Sequence, residues 1–431
     1  MYPNLYYFLY KAFGIQQPWG WTRYVNTFGF FVALSFIAAA IVLAAELKRM
    51  EKNGWLHPRE EALVVGKSAT ISEILLNAFF GFLVGYKLVG IFFSPGDLSP
   101  QDFIFSSRGN WPAGVILAGL FGWLKFHEKN KQKLSKPEER KIRVWPHERV
   151  GDMAIIAAFF GFLGAKIFDN LENWDRFIQD PLGNLLSPSG LTFYGGLIVA
   201  AVAVLLYAKR KSINLKHLID AAAPGLMLAY AVGRIGCQVS GDGDWGISNT
   251  AYVTKVDGTI APATDASIQY AINTNHEYFK IANGQGLESI PHAHVTAPSF
   301  IPDWLVAYAY PHNVNSQGFV LPNCPGNEYC RALPIPVFPT PIYETIVGLL
   351  LFTLLWSLRK KLRIPGQLFG VYLVVNGIER FLVETIRVNT KYESLPFHPT
   401  QAELIAVLLI AGGAAFFLLL SRKKAVDQLP S

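Results

Sequence analysis

The sequence predicts an all-α polytopic membrane protein of about nine transmembrane helices with a small extracytoplasmic head, and three observations predict it. Hydrophobic residues make up 51% of the 431 positions and charged ones only 16%, too few for an ordinary water-exposed surface. Nine stretches approach the roughly 20 apolar residues that a helix needs to cross a bilayer. Lys and Arg gather in alternate loops: nine in Lys125–Arg149, four in Lys209–Lys216, four in Arg359–Arg363 and three in Arg422–Lys424, with Lys48 to Lys67 also basic. The loops between are poor in them, Ser94–Asn110 holding only Arg108 and Asp169–Gly190 only Arg176. Positive loops mark the cytoplasmic side, which places the N-terminus outside and the C-terminus inside. This anchoring accounts for the formal charge of +7 without any nucleic-acid partner.

Residues 1–27 carry Pro3, Pro18 and several aromatics and read as an outer interfacial segment rather than a cleavable signal peptide. Residues 28–68 hold the first span (Phe28–Ala45) and a basic cytoplasmic loop. Residues 69–127 form an extra hairpin (Ile71–Phe93, Trp111–Phe126), followed by a basic loop at 128–150. A transmembrane core at 151–246 contains Asp152–Phe168, Leu191–Ala208 and Ile219–Ile235. The head spans 247–340. A second core at 341–421 contains Pro341–Leu358, Gly366–Arg387 and Gln401–Leu420, and a cytoplasmic tail closes the chain at 422–431. One hairpin is duplicated: Ala78-Phe79-Phe80-Gly81-Phe82-Leu83 returns as Ala158-Phe159-Phe160-Gly161-Phe162-Leu163, each followed by a lysine, Lys87 or Lys166. The first copy lacks a polar counterpart to Tyr194-Gly195-Gly196 and reads as packing. In the head, Trp304–Tyr308 is β-prone. Cys324 and Cys330 are spaced for a disulfide if the head faces an oxidising compartment. His292, His294 and His312 are too scattered for a metal site.

Two stretches carry chemistry. In Gly233-Arg234-Ile235-Gly236-Cys237-Gln238-Val239-Ser240-Gly241-Asp242-Gly243-Asp244-Trp245-Gly246, five glycines fold the chain around two carboxylates, a thiol and a hydroxyl. Arg234 stands at the mouth of a membrane helix, where charge is costly and usually functional. In the eighth span, Arg380, Glu384 and Arg387 follow i, i+4 and i+7 spacing, one face of a helix, with Glu379 beside them. Arginines converging from separate helices suit a phosphate, which guanidinium grips with paired donors. A structural ion-pair set locking two helices is the competing explanation. Tyr194, beside Gly195 and Gly196, is either an interfacial aromatic or a group near a ligand.

On these residues the chain resembles the bacterial prolipoprotein diacylglyceryl transferases. The matches are Gly233-Arg234-Ile235-Gly236 with its glycine-rich loop, Thr27-Phe28-Gly29, Leu191–Leu197, Pro339-Thr340-Pro341-Ile342-Tyr343-Glu344 and Arg380–Arg387. They cover the first span and about Gly151 to Leu420. The resemblance implies transfer of the diacylglyceryl group of phosphatidylglycerol to the lipobox cysteine of a prolipoprotein, with glycerol phosphate released at the bacterial inner membrane. It implies that Arg234 and Arg380 hold the phosphate, that Glu384 and Arg387 orient them, and that Gly246 closes the loop. Phe28, Gly195, Gly196, Cys237 and Ser240 would line the substrate site, and no metal or cofactor is required. The sequence departs from the family at Tyr194, where histidine is usual, at Phe28 (tyrosine) and at Cys237 (asparagine). Asp242 or Asp244 stands for the usual loop glutamate. Tyrosine, with a pKa of about 10, is a poor base near neutrality, so the proton acceptor is open among Tyr194, Asp242, Asp244 and Glu384. A transporter for an anionic lipid, a catalytically inactive lipid-binding relative, and an acyltransferase using Cys237 as nucleophile are the other readings.

Overall fold

A computed structural model describes residues 1–93, 103–104, 106–187, 190, 192–283, 290–322, 324, 329–389, 391–392 and 396–427. Leu191 of the Tyr194 motif, and residues 325–328 between the two head cysteines, lie outside the described residues. The chain is mostly helical and divides into two compact units, Met1–Glu46 with Lys216–Ser431, and Leu47–Leu215. The helices are α1 (Leu5–Phe13), α2 (Thr27–Lys52), α3 (Ile71–Leu83), α4 (Trp111–Lys131), α5 (Val150–Glu172), α6 (Trp174–Gln179), α7 (Pro181–Leu186) and α8 (Phe193–Arg210). They continue with α9 (Leu215–Ser240), α10 (Asp265–Thr274), α11 (His276–Asn283), α12 (Thr340–Leu358), α13 (Gln367–Glu384) and α14 (Gln401–Asp427).

Among the described residues, seven helices are long and apolar enough to cross a membrane: α2, α3 with its continuation to Phe93, α5, α8, α9, α12 and α14. Two of the nine expected spans, α4 and α13, form as helices but fall short. The second half of α4 carries Lys125, Glu128, Lys129 and Lys131, and α13 contains Glu379, Arg380 and Glu384. In α13 the charges that lower the apolarity are the ones expected to do chemistry.

The 47–215 unit is built on the duplication. In the first hairpin, α3 and α4 meet where Gly81 lies against the Leu117 carbonyl and Gly85 against that of Ala113. In the second, Gly164 of α5 lies against the Gly195 carbonyl of α8. A side chain at any of these glycines would collide with a neighbouring backbone, so the small residues set the interhelical distance. The sequence offset between copies is 80 at Gly81 and Gly161 but 79 at Lys87 and Lys166. A π-helical turn at Val84–Val89 begins between those two positions in the first copy and contains Lys87. It absorbs the one extra residue and keeps the lysine in an equivalent place. Lys87 Nζ donates to carbonyls of Phe103, Ser106 and Arg108, and Lys166 Nζ to Ser187 (2.9 Å) and Gly190. In both hairpins the ammonium gathers the carbonyls of the returning loop.

The basic loops of this unit are not featureless. Strands β1 (Arg59–Val65) and β2 (Glu138–Val144) pair antiparallel from Arg59 opposite Val144 to Val65 opposite Glu138. Glu61 is gripped by Arg149 at 2.6 Å and Lys211 at 3.0 Å. These two hydrogen-bonding cations hold its carboxyl down at about 2.

In the other unit, α9 is the central helix. Gly225 packs on the backbone of Ala39 and Gly236 on Phe31 and Phe28 of α2, while Gly348 of α12 packs on Ala231. Ala223 and Met227 join Leu355 of α12 and Leu368 of α13 in a buried cluster. Asp220, buried on α9, accepts from the backbone N–H groups of Gly366 (2.7 Å) and Phe369 (2.8 Å), so one helix satisfies the orphan donors at the start of another. Glu46 and Arg359 pair at 3.1 Å. Helices α13 and α14 meet through Gly370, Gly377 and Gly413.

The head carries three further two-stranded sheets. They are β3 (Ser248–Asn249) with β6 (His292–Ala293) in parallel, β4 (Tyr252–Thr254) with β5 (Ile260–Pro262), and β7 (Phe319–Val320) with β8 (Arg331–Ala332). Ile268 and Ile272 of α10, Phe279 of α11, Ile290 and Ile335 make one of its cores. Buried Asn249 replaces missing ladder bonds: its amide donates to the Val295 and Val306 carbonyls and accepts from the Ala251 and Val295 N–H groups. The β-prone run does not become a strand. Asp303–Leu305 form a 3-10 turn after Pro302, and only Tyr308 makes a bridge, to Val337. Cys324 and Cys330 are disulfide-bonded with Cα atoms 5.8 Å apart.

Candidate anion site

Helix α9 runs without interruption from Leu215 through the arginine-glycine motif to Ser240, and the glycine-rich loop begins there. Gly241 and Gly243 adopt φ of +66° and +97°, conformations that an L side chain strains to reach. They turn the chain so that Asp244 faces back to its own helix. Gly246 then enters strand pairing: its N–H donates to Phe338, the Ile247 N–H donates to Ile386, and Gly246 bridges to Arg387. A Cβ at Gly246 would lie 2.7 Å from the Ile386 carbonyl oxygen, which leaves no room for a side chain.

That pairing corrects one expectation. Helix α13 stops at Glu384, and Arg387 lies beyond it in extended chain rather than on a shared helical face. The hydrogen bond that draws Ile386 onto Ile247 takes the segment out of the helix. Arg387 still reaches the cluster, arriving from the strand side.

The centre of the cluster is Glu344, in the first turns of α12 and fully buried. Its Oε1 lies 3.3 Å from Arg234, 3.5 Å from Arg387 and 3.8 Å from Arg380. Asp244 bridges Arg234 and Arg387, the latter at 2.5 Å. Arg380 also pairs with Glu384 at 2.9 Å, and Glu384 accepts from Asn389 at 2.6 Å. Nη1 of Arg380 is buried without a hydrogen-bond partner. Beneath them, the Tyr230 hydroxyl lies 2.8 Å from Glu344 and 3.0 Å from Glu379, while the Arg234 guanidinium sits 5.3 Å from the Tyr230 ring centre. Sequence reasoning passed over Glu344 and Tyr230. Glu344 lay inside a quoted motif, and its only further signal was a carboxylate in the first turns of an apolar helix.

The two loop aspartates differ. Burial pushes Asp242 above the ordinary carboxylate range and the charge of Asp244 adds to the push. Burial acts on Asp244 in the same sense, but the charges of Arg234 and Arg387 overcome it and hold Asp244 below the usual value. Cys237 is buried, its Sγ 3.8 Å from Arg234 and 3.9 Å from Asp244. Cys237, Asp242 and Asp244 bring donor atoms within 4.8 Å of one another. Two guanidiniums already on Asp244 oppose a cation there. Ser240 is fully buried with its hydroxyl 3.4 Å from the Cys237 carbonyl. Phe28 packs beside Gly236. Tyr194, Gly195 and Gly196 belong to the 47–215 unit at the start of α8, where both glycines are buried against α5 and the Tyr194 ring meets Phe193. The structure therefore brings together Arg234, Arg380, Arg387, Asp242, Asp244, Glu384 and Cys237.

Seven membrane-length helices among the described residues define a multi-pass helical protein, and the unit containing α9, α12 and α13 buries a cluster of arginines and carboxylates that is a candidate anion site. The chain belongs to the prolipoprotein diacylglyceryl transferase family, whose model matches residues 113–419. The match takes in α4, further towards the N-terminus than the motifs reached within the core, and begins after α2. Among similar proteins is one of Leptospira interrogans, 26% identical over 315 residues, covering 67% of this chain and 75% of the relative. Another, of Dehalococcoides mccartyi, is 26% identical and covers 64% and 79%. A third, of Streptococcus uberis, is 25% identical and covers 74% and 93%. Each of these is named phosphatidylglycerol–prolipoprotein diacylglyceryl transferase.

Proposed function

We propose that this chain transfers the diacylglyceryl group of phosphatidylglycerol to the lipobox cysteine thiol of prolipoproteins, releasing glycerol phosphate. The observation that carries the reading is the convergence of Arg234 of α9 with Arg380 of α13 and Arg387 just beyond it, in a chain of this family. The protein sits in the bacterial inner membrane with nine spans, its N-terminus and head outside, and α4 and α13 among the spans. Domain limits follow the loop charges described above.

In the reaction a sulfur–carbon bond forms at the glyceryl carbon and the carbon–oxygen bond to phosphate breaks. The leaving glycerol phosphate gains negative charge, which Arg234 and Arg380 stabilise. Nη1 of Arg380, which has only a 3.8 Å ion pair to Glu344 and no hydrogen bond, supports its role in the clamp. Arg387, Glu384 and Glu344 orient the pair. The thiol must lose its proton to become nucleophilic. Of the candidate bases, Asp244 is held ionised by two arginines and Glu384 is paired with Arg380. Asp242 is the partly exposed carboxylate with a raised affinity for protons, and it takes the thiol proton. Cys237 forms no covalent intermediate.

The reading is tested with purified protein in phosphatidylglycerol micelles and a lipobox peptide bearing one cysteine. Mass spectrometry is expected to show a diacylglyceryl adduct, with glycerol phosphate released in equal amount. Bound phosphatidylglycerol without adduct would point instead to a lipid-binding or transport role. Asp242→Asn is expected to slow transfer by about 10²–10⁴-fold, the usual worth of a positioned base. A base acts only when deprotonated, so the wild-type rate should fall as pH drops through the raised pKa of Asp242. The Asn variant should lose that acid limb; an unchanged pH–rate profile would assign the proton elsewhere.

A further inference from the structure

Tyr230 presents a count of hydrogens that does not close with two carboxylates. Its hydroxyl oxygen lies 2.8 Å from Glu344 Oε1 and 3.0 Å from Glu379 Oε1, and a phenol has one hydrogen to donate. Each carboxyl takes a full hydrogen bond only when one of the two acids carries a proton and gives it to the phenol oxygen, instead of both sharing the single phenol hydrogen. Glu344 shares the same Oε1 with Arg234, Arg387 and Arg380, which makes it the anion. Glu379 is 4% exposed, and the Oε2 atoms of both Glu379 and Glu344 are buried with no hydrogen-bond partner. A bare oxygen is far less costly on a neutral acid than on a carboxylate, and only Glu344 has three guanidiniums to offset that cost. The proton belongs on Glu379.

The surroundings agree. Tyr230 and Arg234 face Glu379 from α9, Glu344 faces it from α12, and Tyr372 and Arg380 are its charged or titratable neighbours on α13. On α14 the residues packed against the glycines of α13 are Ala406, Ile410, Gly413 and Phe417, none of which titrates. The Arg380 side chain is turned to Glu384 and Glu344 rather than to Glu379.

We propose that Glu379, Tyr230 and Glu344 form a two-proton relay that moves negative charge off the three arginines when an anionic phosphate binds them. The Glu379 proton passes to the Tyr230 oxygen as the Tyr230 hydrogen passes to Glu344. Only O–H bonds break and form, and no charge enters or leaves the set. At rest Glu344 is the anion and neutralises the guanidiniums. A phosphate arriving beside it repels that charge, and the relay transfers it to Glu379, on the far side of the phenol. The guanidiniums are then available to the phosphate, and departure of glycerol phosphate reverses the shift. Glu379 and Tyr230 act through Glu344 and are positioning residues. This inference rests on the transferase reading for the identity of the ligand.

The test uses the full chain in detergent, with Glu379→Gln and Tyr230→Phe. Infrared difference spectra on adding glycerol phosphate are expected to show a protonated-carboxyl band that shifts in wild type as the acid changes site. Glu379→Gln, which keeps a donor for Tyr230 but cannot take the charge, should lack the resting band. Both variants should raise KM for phosphatidylglycerol roughly tenfold, the effect of one pKa unit of charge-state preference, with kcat within about twofold. A structural hydrogen bond alone would be kept by Gln. A wild-type resting band that survives in Glu379→Gln, or a wild-type KM in that variant, overturns the relay. If wild type makes no adduct, the transferase reading fails, and the ligand-induced band shift still decides the relay.

Discussion

Replacing Arg234 by alanine is expected to reduce diacylglyceryl transfer by about 10³-fold or more, near the upper range for removing one charge-stabilising donor from a preorganised site. Arg234 supplies two separate interactions to the resting site, one guanidinium nitrogen to Asp244 and another to Glu344. Both nitrogens therefore already point to where a phosphate would exchange for carboxylate. Arg234→Lys keeps the charge but not the planar fork, and should recover only a minor part of the rate. The pairing of Asp244 with Arg387 and of Glu344 with Arg380 and Arg387 remains in either variant, so the fold should persist. Adduct yield by mass spectrometry, read beside the thermal unfolding midpoint, separates the two effects. An Arg234→Ala protein that folds and still forms adduct at the wild-type rate would remove Arg234 from the phosphate clamp.

How much of this was legible in the chain depended on whether the determinant was local. The duplicated hairpin was, because its glycines and lysines recur at nearly fixed spacing. The π turn that reconciles offsets of 80 and 79 was visible only as a discrepancy of one residue. The family was legible because Arg234 and Arg380 sit in ordered motifs. The path of Arg387 was not, since the helix spacing that seemed to carry it is ended by a pairing with Ile247, well over a hundred residues away. Glu344 escaped for the same reason: its meaning comes from three arginines in other segments, and no charged residue stands near it in its own helix. Asp242 and Asp244 look equivalent as letters. They part only when the positive φ of Gly241 and Gly243 delivers one of them to two guanidiniums.

The largest effect on stability is expected at Glu344. Glu344→Ala deletes a carboxylate with no exposed surface while leaving Arg234, Arg380 and Arg387 converging on the vacated position. Breaking one side of a buried ion pair typically costs about 3–5 kcal/mol, a large part of the roughly 5–15 kcal/mol that holds an ordinary domain folded. Asp244 and Glu384 remain to offset part of the arginine charge, but each is committed at the edge of the cluster rather than its centre. The alanine protein should therefore give little monodisperse material in detergent, or a sharply lowered unfolding midpoint. Glu344→Gln keeps the volume and an oxygen that Tyr230 can donate to, and removes only the charge. It leaves the arginines without their counter-charge as Ala does, so its unfolding midpoint should also fall, by less, and the difference between the two variants measures the cavity and the lost acceptor. If Glu344→Ala unfolds at the wild-type midpoint, the arginines find sufficient counter-charge elsewhere and Glu344 is not their centre. If both variants fold and only the rate falls, the carboxylate acts on the reaction and not on the fold.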